Sequence, residues 1–98
     1  MILNGGVLDG KRYLSEAAVK RMTSKQTGDA LKDEYGFGWA AGRTWCGHGG
    51  AYSTDMTIDR ERNLILVWMV QHGGYPGDGR NSLAAFKKAA METYSRPN

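Results

Sequence analysis

The feature that most constrains this chain is an uninterrupted run of seven apolar residues, Leu64 to Val70. It is far too short to cross a bilayer, which takes about 20 residues. Without alternation, such a run suits a strand covered on both faces, so Leu64 to Gln71 is expected at the centre of a sheet. The polar stretch Asp59-Arg60-Glu61-Arg62-Asn63 before it predicts a hairpin loop. Further upstream, Tyr52, Thr54, Met56 and Ile58 alternate with Ser53, Asp55 and Thr57, the period of a second strand. A third strand is predicted at Tyr35-Gly36-Phe37-Gly38-Trp39, whose aromatics share one face and are expected to pack in the core. The glycines opposite them leave room for a close neighbour.

The segments outside this sheet read as turns and helices. Met1-Ile2-Leu3 followed by Asn4-Gly5-Gly6 looks like the end of a helix with a glycine cap. Asp9-Gly10 predicts a tight turn between Val7-Leu8 and Arg12-Tyr13. Ser15 is a good N-cap for a helix over 16–24, with Leu14 and Val19 placed as a hydrophobic staple. Glu16 near the start and Lys20 and Arg21 near the end suit the helix dipole. Residues 30–34 read as loop, and 73–79 as an irregular glycine-rich loop. A final helix is expected over 82–94, capped by Asn81. Its stripe of Leu83, Phe86, Ala90 and Tyr94 would pack along the sheet. The expected fold class is α+β: a short N-terminal helical segment, a three-stranded antiparallel sheet, and a C-terminal helix packed on it.

Ninety-eight residues fit a single domain, 1–98. An apolar fraction of 41% with three Trp, five Tyr and two Phe argues for a folded chain rather than disorder. The net charge of +3 comes from scattered residues without a basic stripe, so nucleic acid is not an expected partner. No basic segment followed by an apolar stretch opens the sequence, and neither a signal peptide nor a membrane segment is read from it. The single cysteine, Cys46, cannot form an internal disulfide. Paired with His48 it lacks the further ligands that a metal site needs, and no cofactor or metal is expected.

Four stretches, in this order, resemble the C-terminal part of the serine β-lactamase (class C) and penicillin-binding-protein-like esterase family. They are Leu3 to Ser15, similar to the passage that closes the family's helical domain; Tyr35-Gly36-Phe37-Gly38-Trp39; Gly47-His48-Gly49-Gly50-Ala51-Tyr52-Ser53-Thr54, similar to the third active-site box; and Asp59 to Val70, similar to the hairpin after that box. The resemblance implies a pocket in which His48 takes the place of the third-box lysine. Gly49 and Gly50 would admit the scissile carbonyl, and the Ala51 N–H would be one of two oxyanion-hole donors. Read from its pattern alone, His48 is sooner an exposed or core-satisfied histidine in a glycine turn, and the resemblance reverses that order.

The family's Ser-x-x-Lys nucleophile box is not in this sequence: Ser15, Ser24, Ser53, Ser82 and Ser95 are followed three residues on by Ala18, Thr27, Met56, Ala85 and Asn98. No Tyr is followed two residues later by Asn, which removes the second box as well. The expectation is a C-terminal portion of a serine hydrolase, inactive alone. The alternative is a non-catalytic oligomerising or ligand-binding module, with a second copy or the N-terminal part of the fold as partner. The repeat His72-Gly73-Gly74 reads as coincidence or as a loop near the pocket rim.

Overall fold

The computed structural model describes residues 1–74 and 79–94. The chain divides into two compact units, Met1–Cys46 and Gly47–Asn98.

In the first unit, residues 1–6 are turns closed in the pattern of a Schellman motif. Gly6 N–H donates to Met1 O at 3.1 Å and Gly5 N–H to Ile2 O at 3.2 Å, with Gly5 at φ 59°. The expected glycine cap is therefore present. Strands β1 (Val7–Leu8) and β2 (Lys11–Arg12) pair antiparallel across Asp9-Gly10. Both turn residues have positive φ, 49° and 75°, which matches the twist a two-residue hairpin requires. Helix α1 (Glu16–Met22) starts where Ser15 Oγ accepts from Ala18 N–H at 3.1 Å, and it buries Val19.

The expected strand over 35–39 does not form. Tyr35 makes a single bridge to Ala40, and Gly36 N–H donates to Trp39 O, so 36–39 is the loop of a tight reversal with Gly38 at φ 88°. The glycines that looked like one face of a strand instead permit the turn. Only part of the aromatic face is buried: Phe37 is 56% exposed, while Trp39 is half-buried with its Nε1–H on Met22 O at 2.6 Å. Strand β3 is the two residues after the loop, Ala40–Ala41.

The sheet has four strands rather than three, in the order β3-β4-β5-β6. Strand β4 (Trp45–Gly49) was not separated from its glycines in the sequence. Strand β5 (Asp55–Asp59) begins three residues later than expected. The segment Gly47 to Thr54 is thus not one extended edge: it is the end of an interior strand followed by a turn. Strand β6 (Leu64–Trp68) pairs antiparallel with β5 in the register Asp55↔Trp68 to Asp59↔Leu64.

The hairpin between β5 and β6 is held by buried Asp59, which accepts from Arg62 N–H and from its guanidinium, both at 2.9 Å. Asn63 completes the turn at φ 52°, a conformation Asn tolerates better than most residues.

The unbroken apolar run of β6 does not make it central. It is an edge strand, with Leu66 buried on one face and Ile65, Val67 and the following Met69 exposed by 48%, 53% and 76% on the other. The covered face lies under α2 (Gly79–Tyr94), where the Trp68 and Phe86 rings meet at 5.2 Å between centroids. Beside them Lys87 Nζ contacts Asp55 Oδ2 at 2.7 Å and Thr57 Oγ1 at 3.0 Å. Helix α2 starts before Asn81, which lies inside it rather than capping it, and Tyr94 is exposed rather than part of the packed stripe. Most of the glycine-rich loop expected over 73–79, residues 75–78, lies outside the described residues.

Candidate functional site

Residues 47–54, the stretch that resembles the third box, occupy the end of β4 and the turn between β4 and β5. Gly47 is buried so close to β5 that a Cβ on it would lie 2.2 Å from Met56 O. Any side chain there would push the two strands apart. His48 follows, exposed, near the end of β4.

Its Nδ1 donates to the Gly49 carbonyl, since a carbonyl oxygen can only accept. In the neutral tautomer that makes this bond, Nε2 is the acceptor atom. A ring held this way can take a proton or hydrogen bond from a hydroxyl through Nε2.

After β4 the chain reverses over three residues. Ser53 N–H donates to Gly50 O at 3.0 Å and Gly50 N–H to Thr54 O at 2.8 Å, so Ala51 and Tyr52 are the central residues of a β-turn and Ser53 follows at φ 67°. This is the hairpin form in which a β-turn is followed by one left-handed residue, a position where glycine is usual. Ala51 is exposed, and among the described residues no acceptor takes its N–H. An exposed amide without an acceptor is able to donate to an anion or oxyanion. His48, Gly50 and Ala51 are thus within four consecutive residues, on the end of a strand and the turn it enters.

The turn is tied to a second segment, residues 72–74, that lies about 20 residues further along the chain. Ser53 Oγ–H reaches the carbonyls of His72 at 2.8 Å and Gly74 at 3.2 Å, and His72 N–H donates to Tyr52 O at 3.1 Å. His72 Nδ1 also donates to the Gly74 carbonyl. The second His-Gly-Gly stretch, read as coincidence or as a loop near the pocket rim, is bonded through Ser53 and Tyr52 to the turn that follows the first. The available signal was the repeat itself, together with a serine at a turn position that favours glycine.

Between the turn and the end of β6 lies an open cleft of about 460 Å³, lined by Tyr52, Thr54, Met69, Val70 and Gln71. The Ser53 hydroxyl directs its proton at the His72 and Gly74 backbone carbonyls, an arrangement that holds the turn rather than one that activates a nucleophile. Among the described residues no group of three or more His, Cys, Asp or Glu could hold a metal ion, and no helix is long and apolar enough to cross a membrane. Cys46 is fully buried on β4.

A search of curated proteins finds no match. A family model, described as Beta-lactamase, matches residues 1–90. That span runs from the Schellman turn through the third-box turn and into α2, and by it the chain belongs to the Beta-lactamase family.

Proposed function

We propose that this chain supplies the third-box side of a serine-hydrolase pocket, with His48 Nε2 facing the reacting hydroxyls and the Ala51 N–H as one oxyanion donor. The observation that carries this is the Gly50–Thr54 turn. It leaves the N–H of exposed Ala51 without an acceptor among the described residues, three residues after a histidine whose Nδ1 bonds to the Gly49 carbonyl.

In acyl transfer, negative charge develops on the carbonyl oxygen as the nucleophile attacks. A pre-oriented N–H stabilises that charge without reorganising. Gly49 and Gly50 keep side chains away from the carbonyl's approach. His48 Nε2 would accept a proton or hydrogen bond from the attacking hydroxyl. The nucleophile and its lysine come from a Ser-x-x-Lys box outside these residues, so the 98 residues alone do not turn over ester or β-lactam.

Ala51→Pro is the sharpest test. Ala51 occupies the first central position of its β-turn, where proline is well accepted, so the change deletes the N–H and spares the turn. In a fusion that places a Ser-x-x-Lys and Tyr-x-Asn segment ahead of Met1, hydrolysis of a p-nitrophenyl ester should fall by about 10²–10³-fold in kcat, the usual cost of one oxyanion donor. His48→Ala should lower kcat in the same fusion. Unchanged kcat in Ala51→Pro would sink the assignment.

A second reading, an oligomerising module, is favoured by one observation. The uncovered face of β6 exposes Ile65, Val67 and Met69 on an edge strand without charges, a surface that invites pairing with another chain. Sedimentation velocity of the pure protein at micromolar concentration separates the two: a folded monomer removes this reading.

A further inference from the structure

We infer that Ser53 is a positioning residue for the oxyanion donor: by fastening the Gly50–Thr54 turn to the 72–74 segment, its hydroxyl holds the Ala51 N–H in place. The inference deepens the third-box reading and rests on it.

Three observations support this role. The first is the backbone. Ser53 sits at φ 67°, at the left-handed position of its turn where glycine is usual. The other non-glycine residues at positive φ among those described are Asp9 and Asn63, types that tolerate this region. Serine has no such allowance, and a residue held there is strained unless its surroundings compensate.

The second is the compensation. Ser53 Oγ lies 2.8 Å from His72 O and 3.2 Å from Gly74 O. A hydroxyl has one proton, so the shorter bond is the main one. His72 Nδ1 also donates to the Gly74 carbonyl, which closes residues 72–74 on themselves and keeps both acceptors beside Ser53.

The third is how the tie constrains the turn. Its own bonds, Ser53 N–H to Gly50 O and Gly50 N–H to Thr54 O, span only residues 50–54. They set its shape and leave its tilt to other contacts. Tyr52 O accepts from His72 N–H at 3.1 Å, and His72 O accepts from the Ser53 hydroxyl. A single bond allows pivoting, whereas two bonds from neighbouring residues to one partner fix orientation as well as distance. Ala51 adjoins Tyr52, so its N–H moves with this attachment. An oxyanion donor acts by being placed beforehand, to within about 0.5 Å. Deleting the hydroxyl removes one of the two points.

The test has two parts. In the ¹⁵N-labelled 98-residue chain, the Ala51 N–H order parameter should be near the roughly 0.85 of rigid backbone. In Ser53→Gly it should fall toward the roughly 0.6 of flexible backbone, with Thr57 and Leu66 unchanged. Ser53→Ala should act alike, which separates loss of the hydroxyl from the freedom of glycine. Glycine suits this backbone, so Ser53→Gly decides the matter even where Ser53→Ala does not fold. In the fusion carrying Ser-x-x-Lys and Tyr-x-Asn, Ser53→Gly should lower kcat by about tenfold and change KM by less than about twofold. Added to Ala51→Pro, it should lower kcat by no more than about twofold, since the donor it positions is already gone. An unchanged Ala51 order parameter overturns the role, as does a tenfold loss that persists in the Ala51→Pro background. Failure of the third-box reading looks different: Ala51→Pro alone then leaves kcat unchanged, and the order parameters still report whether Ser53 holds the turn.

Discussion

Ser53 carries two opposing effects in one residue. Its left-handed backbone costs a non-glycine residue about 1 kcal/mol, while its hydroxyl bonds to the His72 and Gly74 carbonyls contribute about 0.5–1.5 kcal/mol each. Ser53→Ala keeps the backbone cost and loses the bonds, so it should destabilise by about 1–2 kcal/mol in urea unfolding. Ser53→Gly loses the same bonds but relieves the backbone, and should cost less than the alanine variant. Gly47 in β4 and Gly50 at the turn give a sharper contrast. A Cβ at Gly47 meets the backbone oxygen of Met56 at 2.2 Å, whereas at Gly50 it meets the Thr54 Oγ1 at 2.1 Å, the end of a side chain that can rotate. Gly47→Ala should therefore lower the urea midpoint far more than Gly50→Ala, and equal losses would mean that β4 and β5 are not as close as the structure has them.

At the scale of elements, the interface of α2 with its sheet is held by Trp68 against Phe86 and by the Lys87–Asp55 pair, whose side chains are 29% and 18% exposed. Lys87→Met keeps the aliphatic stem but strips the partner from a carboxylate that is mostly out of water. The expected loss is about 1–3 kcal/mol, read as a lower thermal midpoint, and Asp55→Asn should restore part of it in the double variant. The local elements could be read from residues alone: the Asp9-Gly10 hairpin, the Ser15 cap and the Asn4-Gly5-Gly6 cap each depend on a few neighbours, and each is present. The misreadings all concern features set by distant partners. The apolar run Leu64 to Val70 reads as a central strand, yet β6 is at the edge, because exposure is decided by what covers each face and not by the run itself. The period of two at Tyr35 to Trp39 was the same kind of ambiguity, since alternating glycines serve a turn as readily as a strand. At the site, His48, Gly50 and Ala51 were legible as a motif, while their link to His72 through Ser53 was not, because a side-chain bond across 19 residues leaves no local pattern.

At the scale of the whole molecule, membership of the Beta-lactamase family and the third-box geometry meet a sequence that contains no Ser-x-x-Lys box. Acyl transfer needs an activated nucleophile as well as a place for the oxyanion, and a donor without an attacking group does not catalyse. The proposed role of this chain is therefore one wall of a serine-hydrolase pocket. The most direct measurement is p-nitrophenyl acetate hydrolysis by the pure 98-residue protein, before and after treatment with a serine-directed fluorophosphonate. The predicted result is the buffer rate in both cases, with no covalent label by mass spectrometry. Turnover above buffer that disappears on labelling, and also in His48→Ala, would contradict the account, because a reactive serine would then lie within these residues.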